Sequence, residues 1–339
     1  FNLSEIEQNH PANQPLVSWG FHHYFHGKLT KNDLDEISSI RPIIIIHRSF
    51  HEFILNTPAM ELLGINKEAF NETPELNHLA NFDDGHFSER GAIIVLPKLM
   101  QVLASPMALI QGLQKTRDYL HSNGITLIGN PGSMYNKDLQ TAKNLIFGNE
   151  DSPFESYFFP SALNLSEQFK LDEVLDAAKD QTSWGEGKLN YLSKHIKLFA
   201  DGAMYSQNMV MRDGYLDNHE GSWLMSLNTF ENLFKVFWDD GFQIHIHQNG
   251  DAGLDRLLET LKKNLDRNPR MDHRTTVVHF GYSAKDQLKQ MKELGVVVSA
   301  NPYYVTALSD LYSRKGVGYE RSQEMVRLGD AIKEGIKVA

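Results

Sequence analysis

Short β-branched and aromatic runs alternate along this chain with longer stretches whose apolar residues recur at helical spacing. The runs cover 42–46, 125–128, 154–159, 196–200, 242–247, 275–279 and 296–299. Each is largely apolar on both faces, the pattern of strands buried in a parallel sheet. Between the runs, Leu254, Leu257, Leu258 and Leu261 follow Gly250 and Asp251, with Asp251 as the expected N-cap. Leu288, Met291 and Leu294 follow a cap at Ser283 and stop at Gly295, and Leu109, Leu113 and Leu120 stop at Asn123-Gly124. Strand alternating with helix predicts parallel βα units.

From 125 onward the strands start roughly 20 to 50 residues apart, a spacing that suits a (β/α) barrel. The interval between 46 and 125 is too long for one crossover, so 52–105 is expected to be an insertion at the barrel mouth. A doubly wound sheet is the rival, but no G-x-G-x-x-G loop follows any run. The expected fold is α/β, a TIM-like (β/α) barrel over 1–339 that is incomplete and carries this inserted segment.

Composition narrows the partners. The chain has 339 residues, 33 basic and 43 acidic side chains, and a net charge of −10. A nucleic-acid partner would ask for a basic face. No apolar run approaches the roughly 20 residues of a spanning helix, so no membrane partner is expected. A small-molecule substrate is expected, and a homo-oligomer stays open. There is no cysteine, which excludes disulfides, thiolate catalysis and Cys-based zinc sites and leaves the compartment open. The first residues, Phe1-Asn2-Leu3-Ser4, show neither an initiator Met nor a signal pattern, so an excised or trimmed chain is expected.

The chemistry concentrates at strand ends. In 243–251, Ile244 and Ile246 face one way and His245 and His247 the other, with His247 at the C-terminal end where a barrel carries its active site. His279 ends the next strand in the same way. Two imidazoles on adjacent parallel strands stand about 5 Å apart at the backbone, near enough to share one divalent ion. A hydrogen-bonded structural role is the alternative for each. On 196–202, strand parity puts Lys197, Phe199 and Asp201 on one face. A lysine there is either ion-paired, with Asp201 or a neighbouring carboxylate, or carboxylated by CO2 into an anionic bridge between metals.

Other polar groups read more plainly. The histidines in 21–26 read as a loop before a helix. His47 and His51 sit where they would line a pocket, and Glu89 is a possible pocket carboxylate. No G-x-S-x-G elbow occurs, which leaves Ser-His-Asp catalysis without support.

These blocks resemble the amidohydrolase superfamily, specifically amidohydrolase family 3. Arg41-Pro-Ile-Ile-Ile-Ile-His47 through His51 to Asn56-Thr-Pro-Ala-Met60 is similar to its R-P-V strand, S-G-H turn and N-S-x-A-L helix. Residues 196–203 resemble its V-K-x-x-x-D-G-A segment and 247–251 its H-A-x-G-D segment. Arg274 through His279, then 294–296 and Asn301-Pro302, resemble its R-x-x-x-x-H, L-G-V and Q-P succession. The blocks keep the family's order over 15–305.

The resemblance implies a metal-dependent hydrolase that cleaves an amide or other non-peptide C–N bond with metal-activated water. It implies one or two divalent ions, most readily zinc, held by His247, His279 and a carboxylated Lys197. His51 and Asp201, at barrel-mouth positions, are expected to contact substrate. The family's H-x-H strand has no counterpart in the chain, and its general-base aspartate is expected beyond Ala339, so the sequence reads as an internal piece of a longer hydrolase. Two other readings stand beside this one. One is a non-catalytic binding or regulatory protein on a degenerate barrel. The other is a metal-free enzyme with Lys197 as a Schiff-base nucleophile.

Overall fold

In the computed structural model, which describes residues 3–11, 14–68, 79–103 and 105–339, each of the seven apolar runs forms a strand starting within two residues of its expected position. The chain divides into two units, Phe1–Leu103 with Gly202–Met209, and Ala104–Asp201 with Val210–Ala339.

The second unit carries β6 (Leu127–Ser133), β7 (Glu155–Pro160), β8 (Leu189–Tyr191), β9 (His195–Phe199), β10 (Gln243–Gln248), β11 (Thr276–His279), β12 (Val297–Ala300) and β13 (Lys337–Val338). β9 to β13 form one sheet in chain order and β6 to β8 another, every pair parallel. A single parallel bridge, Ser161 to Lys197, links the end of β7 to β9. Strand order that never reverses has no switch point, which sets this unit apart from a doubly wound sheet. Among the described residues the sheets do not close into a complete barrel.

Period-two alternation decides what each strand buries. Ile196, Leu198, Ile244, Ile246, Val277 and Val298 are fully buried in one core with Phe230, Phe234, Leu254 and Leu258 from the helices Leu227–Asp239 and Asp251–Arg267. The intervening residues, among them Lys197, His245 and His247, face the other side. Both expected caps fall one residue from their places. Gly250 holds the N-cap ahead of Asp251 because a Cβ there would lie 2.0 Å from the Val210 carbonyl oxygen. Ala284 replaces Ser283, with its N–H held by the Gln287 side chain at 2.8 Å. The stops at Gly124 and Gly295 are as expected, both at positive φ.

The first unit carries β1 (Leu16–Phe21), β2 (Ile43–His47), β3 (Glu52–Leu55), β4 (Ala80–Asn81) and β5 (His86–Ser88), in the order β1-β2-β3-β5-β4. β1 runs parallel to β2, and the others are antiparallel. Within the stretch expected as a mouth insertion, β3 thus pairs directly onto β2 and extends its sheet. The isoleucine run is buried on both faces: Ile44 packs with Phe53 and Leu55, and Ile43 and Ile45 with Leu16 and Leu34. Among the described residues no single helix is long and apolar enough to cross a membrane.

Candidate functional site

Register builds the site in the second unit. His245 pairs with Lys197 and His247 with Phe199 across β10 and β9, so the four side chains form two layers on the face away from the helices. The lower layer is internal structure. His245 Nε2 lies 2.9 Å from Nδ1 of His195, and Phe159 packs on both rings. Burial, then the neighbouring His195 and Lys197, pushes His245 down to about 3, so it stays neutral. The upper layer holds His247, buried, with the Asn249 amide nitrogen 3.0 Å from its Nε2.

His279 reaches the same place against its own parity. It pairs with Gln248, in step with the buried Val277, and an extended strand would turn it toward the helices. Instead His279 has φ of +77° and Phe280 φ of +53°, two consecutive left-handed residues that are not glycine. This conformation is costly for such side chains and concentrates at functional positions. Its effect is to bring the His279 ring to 4.6 Å from the His247 ring, edge to face. Residue spacing had placed the two histidines together. The torsion that makes this possible has no signature in the spacing.

Lys197 has neither ion-pair partner that the sequence offered. It is 3% exposed, its Nζ lies 5.6 Å from the centre of the Phe199 ring, and no carboxylate pairs with it among the described residues. Burial pulls its amine down to about 7. A side chain rooted in the lower layer therefore carries its nitrogen to the level of Phe199, the layer of His247.

Asp201, expected to meet substrate, does something else. It is fully buried, and its carboxylate accepts backbone N–H groups from Val210 at 2.9 Å, Asn249 at 3.0 Å and Gly250 at 2.6 Å. A Cβ on Gly253 would lie 2.6 Å from it. These bonds use both oxygens to fasten the end of β9 to the turn that follows His247.

His51 lies in the first unit, with Nδ1 2.6 Å from a carboxylate oxygen of buried Glu89. Glu89 also accepts from the Ala203 N–H and the Ser206 hydroxyl, each at 3.2 Å. Burial works against a charge on His51, but Glu89 outweighs it and the pKa is raised. Nearby is a group that sequence reasoning set aside. His22, His23 and His47 each bring a ring nitrogen within 4.8 Å of the others. The signal was present as three histidines in the five residues after Phe21, but no strand or helix period links His22 to His47.

The model of the amidohydrolase family matches residues 9–339. "Exoenzymes regulatory protein AepA" of Pectobacterium carotovorum subsp. carotovorum is 21% identical over 321 residues, 91% of this chain and 66% of its own length. "Protein LONG AFTER FAR-RED 3" of Arabidopsis thaliana is 21% identical over 316 residues, 89% of this chain and 52% of its own length. The chain therefore spans between about half and two thirds of these curated relatives. A solved structure, an uncharacterized metal-dependent hydrolase from Pyrococcus horikoshii OT3, matches with a TM-score of 0.69 at 18% identity, covering 99% of this chain and 64% of that one, a likeness of fold.

Proposed function

We infer the function from one premise, that the chain belongs to the amidohydrolase family: the whole protein is a metal-dependent hydrolase that cleaves an amide or related C–N bond of a small molecule, on a TIM-like barrel. The observation that carries this reading is the left-handed turn at His279, which sets its ring against that of His247. Those two imidazoles and Lys197 are the residues that would hold one or two divalent ions, and imidazole donors suit zinc. A bound ion would polarise the scissile carbonyl and lower the pKa of water.

The residues fit such a group. An amine held near 7 keeps a neutral fraction at physiological pH, and Lys197 has no carboxylate to neutralise it among the described residues. Its nitrogen can attack the carbon of CO2, forming an N–C bond while the amine releases a proton, and the resulting carbamate is an anionic oxygen donor. The Asn249 amide nitrogen lies 3.0 Å from His247 Nε2, and ligation through Nδ1 asks this amide to turn its oxygen to the ring and accept the Nε2 proton, the role of an outer partner of a metal-binding histidine. His51, held by Glu89 and only half-buried, is the substrate contact in this reading.

The test is zinc content and turnover on a panel of amides for the wild type, His247→Ala and His279→Ala. Loss of both metal and turnover in the two variants supports the proposal. Wild-type turnover in both overturns it. Borohydride fixation of a carbonyl substrate on Lys197 would replace it with Schiff-base chemistry.

A further inference from the structure

Among the imidazoles of the first unit with no part in the reaction above, three cluster. His22 follows the end of β1 and caps the one-turn helix His23–His26, and His47 ends β2. We propose that His22, His23 and His47 form a second divalent-metal site of the zinc class, built wholly from residues of the first unit.

Three observations carry it. One ring nitrogen from each residue lies within 4.8 Å of the other two. His22 and His47 are 0% and 1% exposed, and the Nε2 atoms of both are buried with no hydrogen-bond partner among the described residues. A buried polar atom left unpaired is destabilising, and a shared ion would relieve two at once. The third is the surroundings. Ser49 Oγ is 2.8 Å from His47 Nδ1, with the buried Glu52 carboxylate behind it at 3.5 Å, the outer partners that orient a metal-binding histidine. Glu52 also offsets the charge of an ion, while Arg48, over the Tyr205 ring at 5.1 Å, opposes it.

Chemistry selects the class of ion. Three nitrogen donors and no carboxylate within the group suit zinc, cobalt, nickel or copper, and not magnesium or calcium. Ligation through Nε2 puts the proton on Nδ1. For His47, Ser49 Oγ accepts it, and the 3.2 Å bond from the Ser49 N–H to Nδ1 must open. For His22, the 3.2 Å bond from the Tyr24 N–H to Nδ1 must open. Tetrahedral donors stand about 3.3 Å apart, so the rings must also draw inward, with half-buried His23 the freest to move.

The experiment uses the chain carrying His247→Ala and His279→Ala, which removes both imidazoles of the other candidate site, titrated with cobalt(II). The expected result is about one ion per chain with tetrahedral cobalt absorption, and a shell of three imidazoles by X-ray absorption of the zinc form. Adding His23→Asn or His47→Asn should weaken binding at least about tenfold. Ser49→Ala keeps every ligand and is expected to weaken it by about 10- to 100-fold. If His47→Asn fails to fold, His23→Asn and Ser49→Ala carry the decision. No cobalt bound by the doubly substituted chain, or binding that His23→Asn and Ser49→Ala leave unchanged, overturns the site.

Discussion

His247 and His279 stand on paired parallel strands, whereas His22, His23 and His47 gather where a strand ends, a helix is capped and a second strand stops. Both groups bring imidazoles together in buried surroundings, yet they arise differently. The first rests on a repeating ladder plus one strained residue. The second rests on chain segments that no periodicity relates, and it leaves two buried ring nitrogens unpaired. A regular sheet announces its neighbours in advance. A reversal of the chain does not.

The largest expected effect tests the independence of the two groups. His247→Ala should lower zinc affinity of the second unit by more than about 100-fold, beyond what outer partners contribute. It should leave cobalt binding by the first-unit histidines in place. Coupled loss of both would break the comparison. Next is Asp201→Ala, which leaves three backbone N–H groups without their acceptor and should cost about 4 kcal/mol in a denaturant titration. A loss below about 1 kcal/mol would mean that the turn after His247 holds without this carboxylate.

The first unit has its own electrostatic signature. Glu89 raises the pKa of His51, so the stability of the pair is fully present below about pH 6.5 and fades as pH rises through the folded value. Glu89→Gln should remove that slope and cost about 2 kcal/mol at pH 6, read from thermal unfolding across pH. The same slope in the variant would assign it elsewhere.

The smallest effect separates burial from function in the second unit. Lys143 is also buried, with Nζ 4.9 Å from the Phe158 ring, and burial pulls it down to about 8. The wild type should therefore gain stability as pH rises from about 8 toward 10.5. Lys143→Met should be more stable by about 1 kcal/mol below that window, with unchanged metal content. Lys197→Met should lose metal instead, and equal behaviour of the two variants would reduce Lys197 to a buried amine.

What could be read in advance follows the same division. The seven core strands and the shared face of Lys197 and His247 come from period-two patterning, which is strongest where a strand is buried. β1 and β3 escaped because Ser18 and Gly20 interrupt one and Glu52 opens the other. The role of Asp201 was hidden for another reason. β9 stops at Phe199, two residues short of it, and its partners are backbone groups of 210, 249 and 250, which leave no mark in residue type. His279 shows the converse, with the residue named in advance and the torsion that aims it invisible.

The fastening at Asp201 also bears on what the second unit can select. The start of a long helix ordinarily offers a seat for a phosphate or carboxylate from outside. Here the helix Asp251–Arg267 begins against a resident anion, so close that a methyl group on Gly253 would strike it. The seat is taken from within, and a phosphorylated ligand gains nothing from it. In the proposed reading, discrimination beside His247 would then fall to an ion held by the imidazoles and Lys197 and not to a helix end.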